Sequence, residues 1–363
     1  MALSIGIVGL PNVGKSTLFT ALTNQSGLAA NYPFATIEPN VGIVPVPDKR
    51  LQALADIAHP GRVVPATVEF VDIAGLVKGA NEGEGLGNQF LANIRETDAI
   101  VQIVRYFADG EVTHVEGGVN PERDVDIINT ELILADIGTL EKALPRLEKE
   151  ARRDKDSAAK AELAARMLAW LNEGNRAFDY AFASAEEHTL LNDLHLITMK
   201  PVLYVANISE DEISARASQS LTITGKTLVP ISAKVEADIA ELAEEDEEAA
   251  AEFLESLGLE ESGLARLARE AYKLLGLQSY FTVGEIEVRA WTIPVGAKAP
   301  QAAGVIHTDF EKGFIKAETA SFDDYVQYGS EAELKAAGKL RQEGKEYVVQ
   351  DGDIMHFKFN KTT

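Results

Sequence analysis

A doubly wound α/β fold, interrupted by a helical hairpin and completed by a small α+β domain, is the architecture this sequence predicts. Three observations carry that prediction. Apolar runs at residues 3–8, 67–71 and 99–104, continued at 201–206 and 227–231, read as buried parallel strands separated by helix-like or glycine-rich segments. Between about 127 and 200 the series is interrupted by Leu, Ala, Glu, Lys and Arg, with Leu140, Leu144 and Leu147, then Leu163, Met167, Leu168 and Leu171, at three-to-four spacing. Beyond Leu275, short strand-like runs return.

The first strand leads directly into Gly9-Leu10-Pro11-Asn12-Val13-Gly14-Lys15-Ser16-Thr17, a complete G-x-x-x-x-G-K-[ST] pattern, and a helix-forming run follows. Glycines let backbone N–H groups curl around phosphates, and the helix N-terminus adds its positive dipole end. Lys15 is expected to reach the β- and γ-phosphates and to act in catalysis, and Ser16 to ligate Mg²⁺. Asn12, Val13, Gly14, Lys15, Ser16 and Thr17 are therefore the expected phosphate-binding residues. The sequence implies a nucleoside triphosphate ligand.

The interruption reads as two long antiparallel helices, with a turn at Asp154-Lys155-Asp156-Ser157 and a kink or break at Pro145. In the last part, strands are expected at 288–294, 313–320, 346–349 and 354–359, a helix at 331–344, and a tight turn at Asp351-Gly352-Asp353.

Composition narrows the function. At 363 residues and 46% hydrophobic, the chain can bury two or three cores. No apolar run approaches a membrane span, and the apolar start reads as a strand running into the phosphate loop, not as a leader. The absence of cysteine excludes disulfides, thiolate metal sites and cysteine redox switching, and the expected location is the cytoplasm. A net charge of −23 argues against indiscriminate nucleic-acid binding, and no sequence-specific DNA binding is expected. The charge is uneven: residues 235–261 hold 12 acidic groups and no Lys or Arg, a run expected to face solvent, whereas residues 141–166 hold 8 basic groups against 6 acidic. That second segment fits a basic docking face and a solvated mixed-charge helix equally well. Nothing demands more than a monomer.

Further motifs complete the nucleotide site. Asp72-Ile73-Ala74-Gly75 ends a strand, where Asp72 can hold the magnesium shell through water and the Gly75 N–H can contact a γ-phosphate. The four glycines in residues 79–87 suit an order–disorder switch, and Thr36 is placed to complete Mg²⁺ coordination. Base choice is expected at Asn207-Ile208-Ser209-Glu210, with Ser232 and Ala233 closing over the base. Guanine-reading relatives of this architecture carry Asn-Lys-x-Asp; here Ile208 and Glu210 replace the Lys and Asp, so the longer carboxylate meets the base at a different depth and ATP is favoured. After Asp72-Ile73-Ala74-Gly75 stands Leu76, which cannot orient an attacking water, so hydrolysis should be slow or another group must act. His114 is the candidate for that task, and an exposed loop histidine without a role fits it equally; Asn12 is a candidate to help bind K⁺.

Together, G-L-P-N-V-G-K-S-T at 9–17, Y-P-F-A-T at 32–36, D-I-A-G-L-V-K-G-A at 72–80, N-I-S-E at 207–210, R-A-W-T-I-P-V-G at 289–296 and H-T-D-F-E-K-G-F at 307–314 resemble the YchF subgroup of Obg-like P-loop proteins over the whole chain. The resemblance implies an Obg-type nucleotide-binding domain at 1–127 and 200–277, an inserted coiled coil at 128–199 and a TGS domain of β-grasp type at 278–363. It also implies ATP preferred over GTP, slow magnesium-dependent hydrolysis, and association with ribosomes or ribosomal subunits. Two rivals stay open: a GTPase of the same fold, and a nucleotide-gated scaffold in which hydrolysis has no part. A small-molecule kinase is disfavoured, because no lid-like Arg cluster accompanies the loop.

Overall fold

The computed structural model describes residues 3–29, 40–73, 86–107, 118–216, 219, 221–223 and 225–360. Their strands are β1 (Ser4–Gly9), β2 (Val41–Pro45), β3 (Arg62–Val64), β4 (Thr67–Asp72), β5 (Ala99–Arg105), β6 (Val202–Asn207), β7 (Leu221–Ile223) and β8 (Lys226–Ile231), followed by β9 (Leu277–Val283), β10 (Glu287–Pro294), β11 (Phe314–Ala320), β12 (Arg341–Glu343) and β13 (Ile354–Phe359). The helices of the first two-thirds are α1 (Lys15–Ala29), α2 (Lys49–Ala58), α3 (Leu86–Glu96), α4 (Pro121–Glu150), α5 (Lys155–Asn172), α6 (Ala185–Thr189), α7 (Glu210–Arg216), α8 (Ala233–Glu245), α9 (Glu247–Ser256) and α10 (Gly263–Leu274). Then come α11 (Ala299–Ile306), α12 (Thr308–Lys312), α13 (Phe322–Tyr328) and α14 (Glu331–Ala336). No helix among the described residues is long and apolar enough to cross a membrane.

The described residues divide into two compact units: those within 3–28, 40–42 and 69–264 form the first, and those within 43–68 and 265–360 the second. A seven-stranded sheet has the order β2-β4-β1-β5-β6-β8-β7. The pairs β4–β1, β1–β5, β5–β6 and β6–β8 are parallel, and β7 joins β8 antiparallel. All seven residues of β5 are buried, as the unbroken apolar run requires of a strand covered on both faces. Chain order reverses between the neighbours β1 and β5. Ligands of open α/β sheets bind beyond the carboxyl ends of strands at such a switch point.

Within the first unit, α4 and α5 form the expected hairpin. Asn120 caps α4 by accepting from the Arg123 N–H at 3.1 Å, with Pro121 pre-set at the first helical position. Asp154 caps α5 through the Ser157 N–H at 2.8 Å, so the chain reverses just before the expected turn. Leu140, Leu147, Leu163, Met167 and Leu171 share one buried cluster, the seam that the spacing announced. The helix runs through Pro145 uninterrupted. Pro145 and Glu141 are both exposed, so water can satisfy the Glu141 carbonyl that Pro145 leaves without an N–H. At the base of the hairpin the fully buried Asp136 accepts from the N–H groups of Ile197 and Thr198 and from the Thr198 hydroxyl at 2.7–2.8 Å. Burial pushes this carboxyl above its ordinary range against the pull of those donors.

The acidic run does not face solvent throughout. Glu236 on α8 is buried and accepts from the N–H groups of Gly263 and Leu264 at 2.8 and 3.0 Å. A carboxylate there satisfies the orphan donors that open α10.

The second unit holds a six-stranded sheet, order β12-β11-β13-β9-β10-β3, antiparallel except for β13–β9 and β10–β3. Residues 43–68, which the sequence assigns to the nucleotide domain, lie in this unit, where β3 pairs with β10 and α2 packs on it. The expected helix at 331–344 stops at Ala336, because Gly338 turns left-handed (φ 69°) and Lys339 N–H bonds back to the Leu334 carbonyl at 2.8 Å. Residues 341–343 then pair as β12 with β11. The expected strand at 346–349 is reduced to a single bridge, Lys298 to Val348.

Candidate nucleotide site

The loop between β1 and α1 has the backbone its residue types demand. Asn12 and Gly14 lie in the left-handed region, at φ 61° and 89°. Such alternation turns successive N–H groups into one concavity, an anion-binding nest. Val13 between them is buried and anchors the loop in the core. A Cβ on Gly9 would come within 2.8 Å of Val13 Cγ2, and one on Gly14 would overlap Asn207 Nδ2. Glycine is required at both positions by close approach. Helix α1 opens with Lys15, and its first turn holds no acidic residue to compete with a bound anion. Ser16 and Thr17 are exposed there, while Leu18 is buried beneath.

The Lys15 ammonium forms an ion pair with Asp72 at the carboxyl end of β4, both side chains being largely sheltered from solvent. Two motifs separated by 57 residues thus meet at one point. A hydroxyl, an ammonium and a carboxylate beside a nest of N–H groups suit a polyphosphate with a hard divalent cation. Thr36, Gly75, Leu76, His114 and most of the glycine-rich stretch at 79–87 lie outside the described residues.

Asn207, the last residue of β6, binds the site together. Its Nδ2 donates to the Val13 carbonyl at 2.8 Å and its Oδ1 accepts from the Ala233 N–H at 3.0 Å. The phosphate loop and the 232–233 turn therefore share one buried amide. Ser232 is buried and caps α8 through the Val235 N–H at 3.5 Å. Ile208 takes a different place from the one expected: it is 2% exposed and packs in a core cluster with Tyr204, Ala206, Ile213 and Val235. Alternation along the extended chain turns it inward, next to Asn207. Glu210 opens α7 in the open, ion-paired to Lys234 at 2.5 Å, and that pairing raises the Lys234 pKa. Of the expected base-reading residues, Asn207 and Ala233 are thus hydrogen-bonded to each other at the loop, Ser232 is buried next to Ala233 as the cap of α8, and Glu210 stands exposed nearby in sequence.

One residue at this switch point escaped the sequence reading. Arg105 ends the wholly buried β5 and is itself 1% exposed, with its guanidinium directed at the phosphate loop. The signal was available: it is the one charged residue in an otherwise uncharged run, Ala99–Arg105.

Residues 4–130 match the MMR_HSR1 family, described as 50S ribosome-binding GTPase, and residues 277–360 match YchF-GTPase_C, described as a protein of unknown function (DUF933). The chain is 55% identical over 368 residues to the "Ribosome-binding ATPase YchF" of Escherichia coli O157:H7, covering 99% of this chain and all of the relative. It is 51% identical over 369 residues to the protein of the same name from Bacillus subtilis (strain 168), with the same coverage. The solved structure of the Schizosaccharomyces pombe YchF GTPase superposes with a TM-score of 0.87 at 42% identity, covering 98% of this chain and 97% of that one. The phosphate loop, the Asn207–Glu210 segment and the C-terminal sheet therefore belong to one continuous relationship, and the chain is a member of the YchF family.

Proposed function

We propose that this chain is a slow, magnesium-dependent ATPase whose bound nucleotide controls docking to the ribosome. The observation that supports the nucleotide half is the Lys15–Asp72 ion pair beside the loop, the two side chains we assign to the phosphates and to the metal shell. Ser16, Thr36 and Asp72 would hold Mg²⁺, which supplies charge neutralisation to the β- and γ-phosphates. Gly75 would donate its N–H to the γ-phosphate, and His114 is our candidate for orienting the attacking water in place of Leu76. K⁺ beside Asn12 is part of the same proposal.

ATP over GTP rests on Glu210. Its carboxylate is one methylene longer than the aspartate that reads guanine, and its exposed position leaves it paired with Lys234 instead of fixed at the depth of a guanine edge. The relatives' names divide on this point, ATPase in the two bacteria and GTPase in the yeast structure. Calorimetric titration with ATP and GTP decides it. The wild type is expected to bind ATP at least about tenfold more tightly, roughly 1.4 kcal/mol. Glu210→Asp is expected to narrow that gap. Equal or tighter GTP binding by the wild type would return the chain to the GTPase reading. A lysine at 208 would bury an ammonium in the cluster of Tyr204, Ala206 and Ile213.

The docking half is supported by the relatives' names and by the hairpin tip, where Arg146, Lys149, Arg152, Arg153 and Lys155 are all exposed. Exposed cations so close together suit RNA phosphates. Reversing Arg152 and Arg153 to glutamate is expected to abolish co-sedimentation with ribosomes at moderate salt and to leave ATP affinity unchanged. Co-sedimentation equal to wild type would exclude the tip as the contact.

A further inference from the structure

Arg105 carries a permanent charge into a fully buried position at the end of β5. An ion so placed is retained where its donors are directed at fixed acceptors. Its Nε donates to the Phe107 carbonyl at 3.1 Å, and the guanidinium lies over the Phe107 ring with Cζ 4.3 Å from the ring centre. Nη1 approaches the Asn12 carbonyl at 3.5 Å. Asn12 is the residue of the phosphate loop that adopts a left-handed backbone without being glycine, a conformation asparagine tolerates better than most side chains.

The consequence follows from peptide geometry. In a planar trans peptide the C=O and the next N–H point in opposite directions. A group that draws the Asn12 carbonyl to one side turns the Val13 N–H to the other. Asn207 does the same one peptide later, since its Nδ2 holds the Val13 carbonyl and so sets the direction of the Gly14 N–H. Two consecutive peptides of the loop thus face donors from behind at their oxygens, Asn207 from β6 holding one at 2.8 Å and Arg105 from the neighbouring β5 approaching the other at 3.5 Å.

We propose that Arg105 is a positioning residue for nucleotide binding: it orients the Asn12–Val13 peptide so that the Val13 N–H faces the bound phosphates. The proposal rests on the nucleotide reading above and adds to it a residue that touches no substrate. Because Arg105 acts on the phosphate cradle and not on the base, its loss should weaken ATP and GTP equally.

The test compares the full-length wild type with Arg105→Lys and Arg105→Met, using calorimetric ATP and GTP affinities, urea midpoints, and hydrogen exchange of the peptide spanning residues 9–18. Lysine keeps the charge and much of the volume, but one ammonium cannot grip two carbonyls in the geometry of a guanidinium. Both variants are expected to bind ATP about tenfold more weakly with the ATP-to-GTP ratio unchanged, and to exchange faster in residues 9–18. If methionine prevents folding, the lysine variant decides alone. ATP affinity within twofold of wild type, with or without a lowered urea midpoint, would overturn the proposal and leave Arg105 a purely structural residue. A changed ATP-to-GTP ratio would overturn it in favour of a role at the base. Failure of the wild type to bind ATP would instead strike the nucleotide reading itself.

Discussion

Lys15→Ala will lower ATP hydrolysis by about 100-fold or more, the scale on which a preorganised positive group acts on developing charge in a water-poor site. The side chain opens α1 at the mouth of the loop and is held against Asp72, so its ammonium is already placed before any phosphate arrives. Removing it leaves Asp72 partly solvated rather than stranded, since about a quarter of that side chain remains exposed. The stability change should therefore stay within about 1 kcal/mol. Single-turnover hydrolysis alongside a thermal melt separates the two effects. Activity within tenfold of wild type would mean that this loop is not where the chemistry takes place.

Gly14→Ala should be costly to the fold as well as to nucleotide binding. Three terms add in the same direction. The residue sits at φ 89°, where a Cβ costs roughly 1–2 kcal/mol. The new methyl would overlap Asn207 Nδ2, so the amide must rotate away. Rotation gives up its bonds to the Val13 carbonyl and the Ala233 N–H, leaving buried groups that cost about 1–3 kcal/mol each when unpaired. A total of about 3 kcal/mol or more is expected in urea unfolding, with loss of measurable ATP binding. Gly258→Ala provides the control: that glycine has φ 72° and nothing within 4 Å of an added Cβ, so it should show the backbone cost alone. Equal destabilisation by the two substitutions would mean that Asn207 is not the lock between the loop and the 232–233 turn.

Much of this site was legible because its signals are local. The strands β1, β4, β5, β6 and β8 announce themselves as apolar runs bounded by turns, and the phosphate loop is a contiguous motif whose glycines have one physical explanation. The hairpin seam was likewise written in the spacing of Leu140, Leu147, Leu163 and Met167. What could not be read depended on partners far away in the chain. Whether Ile208 covers a base or fills a core turns on the side to which its strand end faces. Glu236 looked like one of twelve solvated acids until the start of α10 arrived above it. Arg105 stands out in the sequence as the one charge in a buried run, but what it serves is set by the fold that brings Asn12 to it. The strand β3 has three residues, too few for any periodicity, and it is defined by its partner β10.

That last strand has a consequence for how the protein can be divided. The second unit is not a tail appended to the first: helix α2, with Leu51 and Leu54 buried, and strand β3 are supplied from residues 43–68, more than two hundred positions before β10. Arg50 reaches from α2 to Asp351 at 2.8 Å, and it also pairs with Asp48 at its own helix cap. A gene cut near codon 277 would separate these pieces from the sheet they complete. The six-stranded sheet is therefore complete only when both stretches belong to one polypeptide, and a fragment starting at residue 277 would expose the edge of β10 that β3 covers.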